Sequence, residues 1–384
     1  LADNLYRITM STLKVGSIRH NSATSDAITT HSDGTVSASL IDVGGGQLSH
    51  RNMIINGAMT IAQRGTSQTN VTSNGYYVCD RWKFELNGAT VSIEQSSDNP
   101  GRGFTHSYKF TVTTPTGSLS AGNALKILYQ VEGYDIAKLG YGDSNAKSFT
   151  LSFWVKSSLT GVLAVSFSRD SRVVNRQVTV SSANTWEYKT VTIAGDTSTA
   201  FGNTTNGTGM RINIFPSAGG NATGGASIPT WQSYHNAHTA YGANMGHLTT
   251  NNSTFQITGV QMELGDTATT FEHKSRQDEF LRCYRYYNKK NPQYGRIGHM
   301  YTNDRIVFPL DLPCEMRTTP TVSNSGGLYF ARYNGLALGL SGIQSSAYDT
   351  TSQRINLTVT SNGSAGNTAF IWSGNTYYIL DAEL

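Results

Sequence analysis

Between residues 51 and 274 the chain repeats one pattern, short runs of alternating apolar and polar residues separated by clusters of Gly, Asn, Asp, Ser and Thr. A strand turns successive side chains to opposite faces, so strict alternation predicts a strand with one face buried. Runs of this kind fall at 82–86, 89–94, 108–113, 124–131, 149–156, 161–168, 175–180, 186–193, 210–215 and 254–264. Phe149, Leu151, Phe153 and Val155 share one face, with Thr150, Ser152, Trp154 and Lys156 on the other. No long helical period interrupts the runs. The spacing predicts an all-β architecture led by an antiparallel sandwich of jelly-roll type.

The last run changes phase. Phe255 and Ile257 are followed, after Gly259, by Val260, Met262 and Leu264. A one-residue slip turns a strand's side chains over, so Gly259 is predicted to mark a β-bulge. A helix signature follows over 275–291. Ser275 can cap it, Asp278 and Glu279 lie in the first turn, and Phe280, Cys283, Tyr284 and Tyr287 fall at i, i+3, i+4 and i+7. So short a helix is marginal alone, and its aromatic face must pack between β units or against sibling chains. Beyond it, over 292–384, the strand pattern resumes between Gly and Asn-Gly turns and predicts a second, smaller β-sandwich. Residues 1–50 carry too few apolar positions for a core of their own and read as an attachment leader. The start itself is ambiguous, since Met10 looks more like one than Leu1.

Composition narrows the function. With 29 basic and 25 acidic residues the net charge is +4, and no Lys/Arg run occurs. That is no electrostatic footprint for nucleic acid. The three cysteines, Cys79, Cys283 and Cys314, form no CxxC pair and support neither a zinc knuckle nor a disulfide framework. No apolar stretch reaches the length of a membrane span, so insertion into a membrane is not expected.

Candidate chemistry is sparse. Trp154 stands on the polar strand face, where an indole can stack the apolar face of a sugar ring; a covering loop or neighbouring chain is the alternative. The loop over 227–246 holds Trp231 and Tyr234 as candidate glycan contacts, with Tyr241 nearby. Its His235-x-x-His238 lacks the spacing and the acid of a zincin. Asp80 and Glu85 fall on opposite strand faces, a poor glycosidase pair, and Asp80 reads as structural. In the last β unit Tyr333 and Tyr348 sit in turns among Ser, Gly and Asn, a composition suited to recognition. No nucleophile elbow, P-loop or dinucleotide fingerprint occurs, so no enzyme is expected. Nor is any cofactor expected, although sandwiches of this kind can hold a structural Ca²⁺.

Several segments resemble a module of bacteriophage fibre and appendage proteins, particularly from phages of marine cyanobacteria. They are NMIINGAMTIAQRG, the Asp80-Arg81-Trp82 triplet, KSFTLSFWVKSSLTG, TGVQMELGDTATTFEHKS with FLRCYRYYNK, and FPLDLPCEMRTTPTV. The resemblance covers roughly residues 50–320. It implies a virion part with a carbohydrate-binding-module-like sandwich, joined to other virion proteins through its leader and touching a host-surface glycan or protein. A tail fibre or similar appendage is one position for it, a capsid decoration the other. It also implies a homotrimer, with Phe280, Tyr284 and Tyr287 as the candidate contact between chains.

Overall fold

In a computed structural model, the described residues are 17–18, 28–30, 32, 36–38, 50–290, 296–302, 305–324, 329–332, 337–339, 343–346, 354–360, 368–372 and 377–384. Three short strands come first, β1 (Ser17–Ile18), β2 (Ile28–Thr30) and β3 (Val36–Ala38), paired antiparallel with one another.

The central unit is a sandwich of two antiparallel sheets. One has six strands in the order β13-β10-β16-β8-β7-β4. These are β4 (Ser67–Val71), β7 (Thr90–Ser96), β8 (Ser107–Thr114), β10 (Phe149–Ser157), β13 (Glu187–Ile193) and β16 (Thr254–Leu264). The other has seven, in the order β15-β12-β11-β14-β9-β6-β5. They are β5 (Gly75–Tyr76), β6 (Trp82–Asn87), β9 (Ala124–Glu132), β11 (Gly161–Arg169), β12 (Arg172–Val180), β14 (Thr208–Ala218) and β15 (Gln232–Ser233). The inward positions are those the alternation predicts. Phe84, Phe110, Phe149, Phe153, Phe167 and Phe255 are all fully buried between the sheets, each worth about 1.5–3 kcal/mol of transfer free energy.

The bulge forms where the phase changes. Ser152 pairs with Gln261 but Trp154 with Thr258, so β16 carries one extra residue there. Gly259 takes φ +62°, and a Cβ on it would stand 2.6 Å from Phe104 Cζ. Only glycine fits so close an approach in the left-handed region without strain.

Hydrogen bonds interlock the segments by which the sequence resembles phage proteins. The Asn52 side chain donates to Val260 O (3.1 Å) and accepts from Met262 N (3.0 Å), tying NMIING to β16. Buried Glu263 accepts from Thr269 N (2.9 Å) and Oγ1 (2.6 Å), and Glu272 from Asn52 N (2.9 Å). The buried Glu263 carboxylate is thereby satisfied, as burial requires.

A short helix, α1 (Gly133–Ile136), follows β9, and a second, α2 (Gly220–Thr223), follows β14. The third, α3 (Arg276–Tyr284), is capped by Ser275, whose Oγ accepts from Asp278 N at 3.1 Å. It stops earlier than its sequence pattern predicts. Tyr287 opens a strand, β17 (Tyr287–Lys290), instead of completing a helical face. Cys283 and Tyr286 bury against Ile55 and Ile61 of the central unit.

Beyond it lie β18 (Arg296–Thr302), β19 (Arg305–Asp311), β20 (Thr321–Asn324), β21 (Tyr329–Arg332), β22 (Ala337–Gly339), β23 (Ile343–Ser346), β24 (Arg354–Thr360), β25 (Thr368–Trp372) and β26 (Tyr378–Asp381). Seven of them make one sheet, in the order β22-β21-β25-β18-β19-β24-β23. The other two, β20 and β26, return to β17 and form a separate sheet in the order β17-β26-β20.

Charge clasps the end of the chain to the central unit. The buried Arg81 guanidinium donates to Glu383 and to Gln130 O (2.7 Å), and lies over the Tyr286 ring at 3.5 Å. Arg317 donates to Ala382 O (2.6 Å) and Glu383 O (2.9 Å). Arg285 grips Glu132 with two nitrogens, at 2.5 and 3.0 Å, the fork geometry that makes arginine–carboxylate pairs strong.

Asp80, at the edge of this cluster, accepts from Gln63 N (3.0 Å) and Nε2 (2.6 Å). Burial drives its carboxyl up from 3.8 to about 6, against the pull of Arg64. The native protein therefore holds this proton more tightly than the unfolded chain. The linked stability is complete below the ordinary carboxylate range and is lost as pH rises through about 6. Asp80→Asn should flatten that fall, by an amount on the order of 3 kcal/mol. Urea unfolding of wild type and variant across mildly acidic pH checks it, and parallel curves would refute it.

Candidate functional site

Alternation that fills the core also sets a row of polar side chains on the outside of the seven-stranded sheet. Glu85 of β6, Lys126 of β9, Asn213 of β14 and Ser168 of β11 come from strands adjacent in that sheet. Above β12 the loop after β14 folds back over the sheet. Asn175 holds it there, donating to Ala226 O (3.0 Å) and His238 O (2.7 Å) and accepting from Ile228 N (3.1 Å). The folded loop raises a wall along the polar row.

The result is a groove of about 380 Å³ with Tyr234 and Asn236 on its wall and Arg211 and Asn213 on its floor. A second hollow of about 220 Å³ continues it, sharing Glu85, Lys126 and Asn236. Lys126 Nζ lies 2.9 Å from Glu85, and Lys83 Nζ lies 3.2 Å from it. Partial burial opposes ionisation of Glu85, but the two ammoniums outweigh it and hold the carboxyl below its usual range. Asp170 accepts from Gly202 N at 2.8 Å. Arg211 donates Nε to Gln130 Oε1 (3.2 Å), and its terminal nitrogens have no partner among the described residues. Tyr234 is 47 % exposed, and its hydroxyl is likewise unpartnered there.

The sequence candidates fare unequally. Tyr234 reaches the groove. Trp231 does not: it is buried, donates Nε1 to Ala194 O (3.0 Å) and packs against Tyr141 and Arg169, which leaves no indole face for a ligand. His235 and His238 serve the loop backbone, each accepting from a main-chain N–H. His247 is buried elsewhere beside Ser157 Oγ (3.1 Å), and burial pushes it down to about 3. Among the described residues no three His, Cys, Asp or Glu side chains converge as a metal would need. Tyr333 and Tyr348 lie outside the described residues.

Of the three aromatics read as a contact between chains, Tyr287 is 4 % exposed and covered by the Arg64 guanidinium at 3.6 Å, so it has no surface to offer a sibling. Phe280 and Tyr284 remain half-buried, edge to face at 4.4 Å. Trp154 stands on the outside of the six-stranded sheet, half-exposed beside Tyr188. The sequence reading missed Lys126, Asp170, Arg211 and Asn213. For Lys126, Arg211 and Asn213 the only signal is an outward polar position on a strand, and for Asp170 a place in the turn between β11 and β12, which any solvated surface shares.

No protein-family model matches the chain, and no curated protein matches it. Solved structures resemble it remotely. The enzymatically active domain of tailspike protein 4 of bacteriophage CBA120 aligns at 14 % identity and TM-score 0.29, covering 56 % of this chain and 21 % of that one, about a fifth of its length. TmCBM61 in complex with β-1,4-galactotriose aligns at 10 % identity and TM-score 0.27, covering 56 % of this chain and 99 % of that one. The family 11 carbohydrate-binding module of Clostridium thermocellum cellulase Lic26A-Cel5E gives 12 % and 0.26, covering 53 % and 99 %. Likeness at this level identifies no family.

Proposed function

We propose that this chain is a non-catalytic carbohydrate-binding protein of a bacteriophage particle, a tail fibre or similar appendage that attaches to host-surface glycan. The observation that carries the binding reading is the polar groove with an exposed aromatic on its wall. Sugar rings present hydroxyls at their edges and C–H groups on their faces. Planar amide and guanidinium groups such as Asn213 and Arg211 match the first, and a ring such as Tyr234 matches the second. The two groove carboxylates support binding over hydrolysis. Glu85 is committed to two lysines and Asp170 to Gly202 N, whereas glycoside cleavage needs one acid free to give its proton.

The virion reading rests on the phage-like segments, two of which, NMIINGAMTIAQRG and TGVQMELGDTATTFEHKS, meet where Asn52 bonds β16 and Glu272. A single groove of this kind binds weakly, and several copies on one particle would raise avidity through effective concentration.

The test is direct. Purified protein is titrated calorimetrically against host surface polysaccharide, and Tyr234→Ala and Arg211→Ala should each weaken binding about tenfold, roughly 1.4 kcal/mol. Particles carrying either variant should adsorb to host cells more slowly. Unchanged affinity in both variants would reject the groove; binding followed by release of reducing ends would reject the non-catalytic reading.

A further inference from the structure

The opposite face of the sandwich carries a second, unrelated feature. Trp154 of β10 pairs in register with Tyr188 of β13 on one side and Thr258 of β16 on the other. The Trp154 and Tyr188 rings lie 5.2 Å apart at 47°. Tyr188 is 43 % exposed. Beneath them Gly259, with no side chain, lets the Phe104 and Trp154 rings close over its backbone, and Phe104 forms the back wall, packed on Phe271 and His273 at 4.9 Å each. The cavity in front of these rings measures about 520 Å³, within the range of small-ligand sites, roughly 300–1,000 Å³.

Its donors are idle. Trp82, Trp186 and Trp231 each give their indole N–H to an acceptor, at 3.0, 3.1 and 3.0 Å. The Trp154 N–H has no acceptor among the described residues. Arg102, exposed and with its guanidinium 5.2 Å from the Trp154 ring, also has no hydrogen-bond or carboxylate partner there. An aromatic pair with two unused donors at its rim is complementary to a ring with an apolar face and acceptors at its edge.

We propose that this shelf is a second carbohydrate site, independent of the groove, which takes one hexopyranose ring on Trp154 and Tyr188 with its hydroxyl oxygens toward Arg102 and the Trp154 N–H. The surrounding strand positions favour a small ligand over a protein. Lys156, the next outward residue of β10, is paired to Asp98 (2.7 Å), and Thr190 and Thr192 complete the outward row of β13, so on these two strands the apolar surface ends at the two rings. A stable protein interface needs about 800 Å² from each partner, far more than two rings supply.

The test follows the indole N–H resonances of the full chain during titration with methyl β-glucopyranoside, methyl β-galactopyranoside and methyl α-mannopyranoside. With at least one of them the Trp154 resonance should shift while those of Trp82 and Trp231 stay fixed. Trp154→Ala should weaken binding of that glycoside at the shelf, read from Tyr188 ring signals, about tenfold, equal to roughly 1.4 kcal/mol. Trp154→Phe, which keeps the ring, should lose less. Tyr234→Ala, in the loop over the other sheet, should leave the shelf titration unchanged, so the two sites fail separately. A Trp154 resonance unmoved by all three sugars overturns the proposal. So does a Trp154→Ala chain that stays folded but sediments as a smaller species, since the shelf would then be a contact between copies.

Discussion

Replacing Arg81 with Ala should lower the unfolding free energy by about 3–5 kcal/mol, the cost of breaking a buried ion pair from one side. The residue is 1 % exposed, and both terminal nitrogens of its guanidinium are engaged, one by Glu383 and one by Gln130 O, with the Tyr286 ring against its face. Truncation leaves the Glu383 carboxylate, itself 4 % exposed, with Arg64 at 3.4 Å as its nearest remaining cation. The loss should be local before it is global. Residues 378–384 are held by this cluster, so their amides should exchange faster in the variant than those of β10 or β16. Glu383→Gln, which keeps a hydrogen-bonding partner, should cost less. Urea denaturation and hydrogen exchange check both statements, and an Arg81→Ala protein within about 1 kcal/mol of wild type would contradict the clasp.

Gly259→Val should be nearly as damaging, roughly 3–5 kcal/mol. A β-branched residue at φ +62° is strained by about 1–3 kcal/mol whatever the space around it. The space is also missing, since a Cβ would meet Phe104 at 2.6 Å and Trp154 at 3.1 Å. Forcing atoms into a packed site adds about 1–3 kcal/mol. Gly259→Ala should fall between wild type and Val in thermal denaturation, and both should move the Trp154 indole resonance. Equal melting of all three proteins would remove the bulge from any part in positioning the shelf.

How far the sequence could be read depends on what each position had to distinguish. Strands β6 to β10 and β16 stand within a few residues of where alternation puts them, because a buried sandwich face enforces period two. Ser67–Val71 has one apolar residue in five and is exposed over four of them, so nothing in its pattern marks an edge strand. Tyr287 looked helical because i+7 spacing ignores tertiary partners. In the fold, Arg64 and pairing with Asp381 hold it in a strand instead. The groove was illegible for a different reason. Glu85, Lys126, Asp170 and Arg211 become neighbours only when four strands align, and polar outward residues look alike until they do.

The three-stranded sheet β17-β26-β20 has a mechanical meaning. Lys290 and Asn324 both pair with Tyr378, so the ends of β17 and β20 that lead on to the seven-stranded terminal sheet, and the end of β26 that follows it, lie side by side. Their far ends, Tyr287, Thr321 and Asp381, align on the other side. Tension on the terminal sheet is thus shared by three covalent strands drawn in one direction, not concentrated on a single linker. The chain passes between the two sheets four times, β17 to β18, β19 to β20, β20 to β21 and β25 to β26, so a protease nick in any one connection would leave three intact. Such a joint suits a part that must hold under load.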